Sequence, residues 1–348
     1  MAGIGDLRVS TQTLPLPITQ RWIISRNQDL TWFIGSGAIS YAVLGLLAGG
    51  FPLTPLFLIW LVGIDGPHVL ATVTRTYCDP AERRRLGSLL WVVAPAMAVG
   101  PFLVAAGAES LFYIFAIGWL HFHIAKQHFG FIMLYKYKAR ERDRLDFLLD
   151  RWFLLSSLML PFARFAARAF FVSLMANPWA QRAEMLLMAL YTVLAGAFVL
   201  RQMDKWRRGM SLNLPKLMLF AVVMPLQWVT FGYAATVPAD GIIRAGVVLG
   251  LFHSFQYHRL MWFHNRNRYG GATERSSGMA AVLARRFAYY FAAAVVLNLL
   301  LSILPGRFSP SPYLKAALWG LPFTHYILDS VIWRVRGNKE LAAALRLS

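Results

Sequence analysis

Apolar residues fall along this chain in runs of about 20, long enough for helices to cross roughly 30 Å of hydrocarbon, with short polar loops between them. Numbered 1 to 10 in chain order, the runs lie near residues 30–50, 54–74, 88–107, 109–135, 152–176, 184–201, 215–236, 241–264, 284–304 and 313–334. The pattern predicts an all-α fold, a polytopic membrane helix bundle of about ten transmembrane helices.

Basic residues are distributed unevenly between the loops. The loops after the even-numbered runs are rich in arginine and lysine, whereas those after the odd-numbered runs are short and nearly free of both. Because basic loops remain in the cytoplasm, both termini are predicted to be cytoplasmic. We expect an N-terminal arm at 1–28, a single transmembrane domain at 29–335 and a C-terminal tail at 336–348. Run 5 is exceptional, since a lipid-facing Arg164 or Arg168 would be costly.

Composition sharpens this picture. Hydrophobic residues make up 57% of the 348 positions and charged residues 15%, which excludes an ordinary soluble domain. The formal net charge of +19 follows from the basic loops, so we expect the lipid bilayer as a partner and no nucleic acid. Cys78 is the only cysteine and forms no internal disulfide. The first 28 residues lack the apolar core of a signal peptide, and we expect an integral protein of the cytoplasmic (inner) membrane.

All eight histidines lie on even-numbered runs, toward the predicted cytoplasmic end. One intramembrane histidine is explained equally well by a hydrogen bond between helices, but histidines from four helices at one depth predict a metal site. His264 lies beside Asn265 at the interface and ranks lowest. The candidate ligands are His68 on run 2, His121, His123 and His128 on run 4, His253 and His258 on run 8, His325 on run 10, and two carboxylates, Asp65 and Asp329.

The two carboxylates are the acidic residues that lie well inside the apolar runs. Asp65 precedes His68 by three residues and Asp329 follows His325 by four, so each pair shares a helix face. The carboxylate can then bind the metal or hold the imidazole tautomer. We take Asp65, Asp329 and Tyr326 as candidate catalytic residues.

Helix geometry limits how the other histidines combine. His121 and His123 point roughly 200° apart on a regular helix, so they cannot bind the same ion. His253 and His258 are five residues apart, and a π-bulge in run 8 would bring them together. Thr72 and Gln256 lie within a helical turn of candidate ligands and could donate hydrogen bonds to them.

Neutral imidazoles with one or two carboxylates suit iron, zinc, copper or manganese. We predict non-haem iron, as one or two ions, with O₂ as co-substrate, because a hydrophobic substrate would arrive from the bilayer and no nucleotide motif is present. An electron donor is a possible further partner. The histidine inventory exceeds the needs of one ion, which favours a dinuclear centre.

Four short motifs resemble those of the Brp/Blh membrane proteins, which cleave β-carotene to retinal. They occur in the family's order, as Gly66-Pro67-His68, His128-Phe129-Gly130, His253-Ser254 with His258, and Pro322 with His325, Asp329 and Trp333-Arg334. The run 8 pair is spaced by five rather than four residues, and the last proline is not adjacent to its histidine. The resemblance implies iron ligation by His68, His128, His253 and His258, and oxidative cleavage of a polyene.

Other classes of protein also fit parts of the pattern. The number of histidines is similar to that of integral-membrane diiron desaturases and hydroxylases, although their HxxHH box is missing. A b-type cytochrome could hold haem between histidines of runs 4 and 8, but this leaves Asp65 and Asp329 unexplained. An ion-coupled transporter could use intramembrane Asp and His, although the chain has no internal repeat.

Overall fold

The computed structural model describes residues 18–237, 239–271, 277–308 and 311–347. Within these ranges the chain is almost entirely helical. The helices are α1 (Arg26–Ala48), α2 (Leu53–Thr76), α3 (Pro80–Ala105), α4 (Glu109–Lys138), α5 (Arg144–Phe170), α6 (Val172–Met175), α7 (Pro178–Arg207), α8 (Leu214–Ala234), α9 (Gly241–Tyr269), α10 (Met279–Leu283), α11 (Phe287–Arg307), α12 (Pro312–Leu318), α13 (Gly320–Ile332) and α14 (Lys339–Ala344). This confirms the all-α class.

Seven helices in the described ranges are long and apolar enough to cross a membrane, namely α1, α2, α3, α5, α7, α8 and α11. The helices α4 and α9 have 30 and 29 residues, so their polar content rather than their length keeps them out of this set. They carry six of the eight histidines. The helices that would supply a buried polar site are therefore those with the weakest membrane signal.

The helix α9 is the centre of the bundle, with most of its side chains buried from Ala245 to Asn265. It contributes to a large buried apolar cluster with α1, α5 and α8 and to one with α2 and α11, and a further cluster lies between α3, α4, α12 and α13. Gly320 begins α13 directly against the backbone of Met97, where a β carbon would not fit. Small residues of this kind let membrane helices approach closely, and this contact fixes the start of the helix that bears His325.

The two arginines of run 5 do not face lipid unpaired. Arg164 and Arg168 on α5 both bind Glu184 on α7, at 2.6 and 2.7 Å. The helix α5 continues through Pro161 to Phe170, and the rest of run 5 belongs to the short α6. Pairing with a carboxylate on the neighbouring helix is how intramembrane arginines are normally accommodated.

A buried ion-pair network joins α4, α5, α7 and α8 at the ends next to the basic 136–144 segment. Lys216 binds Glu141 at 2.8 Å and Asp150 at 2.9 Å, and Lys136 binds Asp150 at 2.5 Å. Although burial raises the pKa of Glu141, the charges of Lys216, Lys136 and Lys205 lower it further, so the net pKa lies below the ordinary value. Lys216 is fully buried between Glu141 and Asp150, so its removal takes a buried ammonium partner from both carboxylates.

We therefore expect Lys216→Met to destabilise the protein by about 3–5 kcal/mol, the usual cost of breaking a buried ion pair. The matched control is Arg208→Met, which removes an exposed partner of Asp204 and should change stability by less than about 1 kcal/mol. Thermal unfolding of the detergent-solubilised protein measures both. Equal effects of the two substitutions would show that the network is not a buried structural element.

Both ends of the described chain are attached to the bundle. Ile18–Thr19 pairs in parallel with Leu212–Asn213, and Asp29 accepts hydrogen bonds from the backbone of Ile23 and Ile24. Residues 1–17 of the expected N-terminal arm lie outside the described ranges. In the expected C-terminal tail, α14 buries Leu341 against the core.

Candidate metal centre

Four histidines from four helices form one buried group, which we name the four-histidine group: His68 on α2, His123 on α4, His253 on α9 and His325 on α13. One ligand atom from each lies within 4.8 Å of all the others. Neighbouring ring centroids are 4.5 Å apart for His68–His253, 5.1 Å for His253–His123, 4.9 Å for His123–His325 and 4.5 Å for His325–His68. The imidazoles thus form a closed ring around a common centre.

A π-helical turn in α2, Leu61–Asp65, precedes His68. Pro67 has no N–H, and Asn298 of α11 supplies the missing donor by binding the carbonyls of Leu61 and Val62 at 3.1 and 3.3 Å. This local unwinding sets the direction of the Asp65 and His68 side chains. Single π turns are frequent at functional sites in α-helices.

This contact requires glycine at position 66, because a β carbon there would overlap the Asn298 amide. We expect Gly66→Ala to cost about 1–3 kcal/mol through overpacking. Gly45→Ala in α1 is the control, since no atom lies within 4 Å of the added carbon, and it should be neutral or stabilise by up to about 1 kcal/mol. The thermal unfolding midpoints of the two variants measure this difference in stability. A tolerated Gly66→Ala would mean that the Asn298 contact does not hold the π turn.

The His68 imidazole is held by a carboxylate through a hydroxyl group. Ser254 Oγ donates to Asp65 Oδ1 at 2.8 Å and lies 3.4 Å from His68 Nδ1. An ionised carboxylate only accepts hydrogen bonds, so the Ser254 hydrogen goes to Asp65 and the serine oxygen accepts from His68 Nδ1–H. This arrangement leaves the lone pair on His68 Nε2.

His325 is held in the same way, by the carboxylate of Asp329 through the hydroxyl group of Thr72. Thr72 Oγ1 lies 2.6 Å from His325 Nδ1 and donates to Asp329 Oδ1 at 3.2 Å. Tyr257 Oη donates to the same carboxylate oxygen at 3.0 Å. Because the Thr72 hydrogen goes to Asp329, the Thr72 oxygen accepts from Nδ1–H of His325, and Nε2 of His325 carries the lone pair. Carboxylates that fix the tautomer of a ligand imidazole are typical of protein metal sites.

The nitrogens that face the centre have no protein partner in the described part of the chain. These are Nε2 of His68, His123 and His325, and both ring nitrogens of His253. A buried polar atom without a partner costs about 1–3 kcal/mol, and at least one on each of four neighbouring histidines would be unusual. Imidazole nitrogens bind metals at about 2.0–2.1 Å, so nitrogens within 4.8 Å of one another need only a small closure to bind one ion.

The other candidate histidines lie outside this group. His121 Nε2 donates to the Leu158 carbonyl at 2.9 Å, and its ring stacks on Phe162. His128 is buried with its ring against Phe252. His264 contacts Asn265 Oδ1 through Nδ1.

His258 is also engaged with protein atoms on both sides of its ring. Its Nε2 donates to the Ile64 carbonyl at 3.0 Å, and its Nδ1 accepts from Tyr290 Oη at 3.0 Å. Run 8 has no π-bulge that would join His253 and His258, because α9 is α-helical throughout; of the π turns in the described chain, the one in α2 lies next to His258. His258 instead binds a carbonyl of that turn, and the two α9 histidines are not brought together.

Of the remaining predicted site residues, Tyr326 stacks on His123 with ring centroids 4.3 Å apart. Asp65 and Asp329 contact their histidines from the Nδ1 side at 3.6 Å, away from the ring of ligand nitrogens. Gln256 donates to the Phe33 carbonyl and accepts from Gln127, and it donates to none of the candidate ligands.

Three contributing residues were missed by the sequence analysis. Ser254 follows His253 directly, and Tyr257 is one turn further along the same helix, but neither was assigned a hydrogen-bonding role. Asn298 is a polar residue within the apolar run 9. A polar side chain in such a run was the available signal for it.

Comparison with protein-family models, with curated proteins and with solved structures finds no match for this chain. The resemblance to the Brp/Blh motifs therefore stays a prediction. What stands on geometry is a membrane-type helical protein with a buried four-histidine group that could hold a metal ion.

Proposed function

We propose that this chain is an integral membrane enzyme that oxidises a lipophilic substrate with O₂ at a non-haem iron held by the four-histidine group. The observation that carries the proposal is the set of buried, unpartnered nitrogens that converge within 4.8 Å. An all-nitrogen donor set with no cysteine or methionine suits iron as well as zinc and copper, and we choose iron because a substrate that arrives from the bilayer favours oxygen chemistry. The group supports one ion per chain rather than two, because His121 and His258 are bound to backbone carbonyls.

The roles of the protein groups follow from the contacts. Asp65 with Ser254, and Asp329 with Thr72, keep the Nδ1 protons of two ligands in place and direct their Nε2 lone pairs inward. Tyr326 holds the ring plane of His123 by stacking. Burial of all four histidines excludes bulk water. Iron bound by imidazoles supplies O₂ activation when a coordination position stays open.

The membrane arrangement is part of the proposal. We infer ten crossings with both termini in the cytoplasm of the inner membrane, in which α4, α9 and the α12–α13 pair cross together with the seven apolar helices. The basic loops after the even-numbered runs support this orientation. The substrate then comes from the bilayer, and the Brp/Blh-like motifs favour oxidative cleavage of a polyene over desaturation or hydroxylation.

The haem alternative does not fit the group. Haem with two axial histidines needs a porphyrin plane between the two imidazoles. Neighbouring imidazoles of the four-histidine group have ring centroids 4.5–5.1 Å apart, too close for two of them to bind opposite faces of a porphyrin.

Expression in cells that accumulate β-carotene tests the reaction class. We expect loss of the pigment and formation of retinal, and no loss with His325→Ala. Unchanged carotenoid with an altered fatty acyl, sterol or quinone pool would overturn the carotenoid assignment but keep the oxygenase. No O₂ consumption with any lipophilic substrate, in a protein that moves an ion across vesicles, would replace the enzyme by a transporter.

A further inference from the structure

The four-histidine group is enclosed on three sides by hydrogen-bonded side chains. Thr72, Tyr257 and Asp329 form one side, His258 and Tyr290 a second, and Gln127 with Gln256 a third. A molecule that passed through any of these sides would separate buried hydrogen-bonded groups. Each such loss costs about 1–3 kcal/mol, so these sides form closed walls.

The fourth side, between α4 and α13, is built differently. Tyr326 separates His123 from Trp119, with ring centroids 4.3 Å from His123 and 5.8 Å from Trp119. Trp119 in turn contacts Phe115 at 5.5 Å, and Phe115 is 54% exposed on the outer surface of α4. The described side chains of α4 and α13 make no hydrogen bond to each other, and none holds the Tyr326 hydroxyl. The barrier here is therefore two layers of aromatic rings.

We propose that the lipophilic substrate reaches the centre laterally between α4 and α13, and that Trp119 and Tyr326 are the gate that it displaces. This inference rests on the proposed function and adds the route and the residues that control it. Phe115 and the 46%-exposed Phe122 flank the gate and face the apolar phase. Phe115, Trp119 and Phe122 make this side apolar, and the charged Lys126, one turn beyond Phe122, lies over the Phe129 ring, so the side admits a hydrocarbon body.

The rings can open the route without breaking the fold. Trp119 is only partly buried and packs on Phe323 at 4.8 Å in a nearly parallel stack. Side-chain rotation needs no change in the helix backbone. The displaced stack is replaced by contacts with the incoming apolar molecule, so much of the packing energy is kept.

Release of bound iron from protein in phospholipid vesicles tests the gate without relying on turnover. The probes are a membrane-soluble iron chelator, bathophenanthroline, and its charged, membrane-impermeant sulfonate. We expect Trp119→Ala to speed extraction by the soluble chelator roughly tenfold, equivalent to about 1.4 kcal/mol, and to leave the impermeant rate unchanged. Trp119→Phe should stay near the wild-type rate.

The matched control is Trp179→Ala, which removes an indole that is 72% exposed on α7 and should change neither rate. We compare gate variants that keep the wild-type unfolding midpoint. The gate would be overturned if both chelators extracted iron faster to the same extent, or if neither extracted it faster. If a gate variant has a normal iron content but an unchanged extraction rate, the gate is rejected and the proposed function is not. A chain that binds no metal, by contrast, rejects the proposed function and this inference with it.

Discussion

His325→Ala is expected to abolish metal binding, and His68→Ala, His123→Ala and His253→Ala should do the same. A four-ligand site contributes roughly 10–16 kcal/mol, so each ligand accounts for about 3 kcal/mol, or more than 100-fold in affinity. Metal content of each purified variant measures this. His121→Ala is the control, because that imidazole binds a carbonyl of α5; it should lose stability and keep the metal.

The same series separates two ligand sets. The geometry selects His123 and His325, whereas the Brp/Blh resemblance implies His128 and His258 in their place. We expect His128→Ala and His258→Ala to retain metal. Loss of metal from these two variants, with full occupancy in His123→Ala and His325→Ala, would mean that the resemblance gives the ligands and the four-histidine group does not.

Thr72→Val is expected to weaken metal binding by about 10–100-fold, the usual effect of removing a partner that orients a ligand imidazole. Valine keeps the shape of threonine but cannot accept from His325 Nδ1–H or donate to Asp329. Thr72→Ser should restore most of the affinity. Asp329→Asn and Asp65→Asn should weaken binding to a similar extent, measured by competition with a chelator of known affinity.

Thr76→Val, one turn along the same helix, is the control for this effect. The Thr76 hydroxyl is equally buried but donates to the carbonyl of Thr72 within the helix, so its loss should leave the metal affinity unchanged. If Thr72→Val and Thr76→Val behaved alike, the hydroxyl that links Asp329 to His325 would have no role in orienting the ligand.

Sequence alone predicted the features that depend on position along a helix. The charge pattern and the four histidine-bearing runs predicted convergence at one depth, and the three- and four-residue spacings predicted that Asp65 and Asp329 would contact His68 and His325. The opposed directions of His121 and His123 also follow from 100° per residue, and the two rings do lie on different sides of α4.

Features that depend on neighbouring helices could not be predicted in this way. The π turn of α2 requires Asn298 from α11 and glycine at position 66. That turn then engages His258, which spacing had paired with His253. Similarly, run 5 taken alone places the charged Arg164 in the membrane without a partner, and the partner is Glu184 on the neighbouring helix α7. Such pairings are tertiary, and no periodicity within a single run encodes them.

Metal analysis of the purified wild-type protein, combined with its optical spectrum, tests the central claim most directly. We predict about one iron atom per chain without the Soret band of haem, and no iron in His325→Ala. Zinc at the same stoichiometry would keep the site but contradict the oxygenase. A wild-type protein that is folded and free of metal, or that shows a Soret band, would contradict the four-histidine iron centre itself.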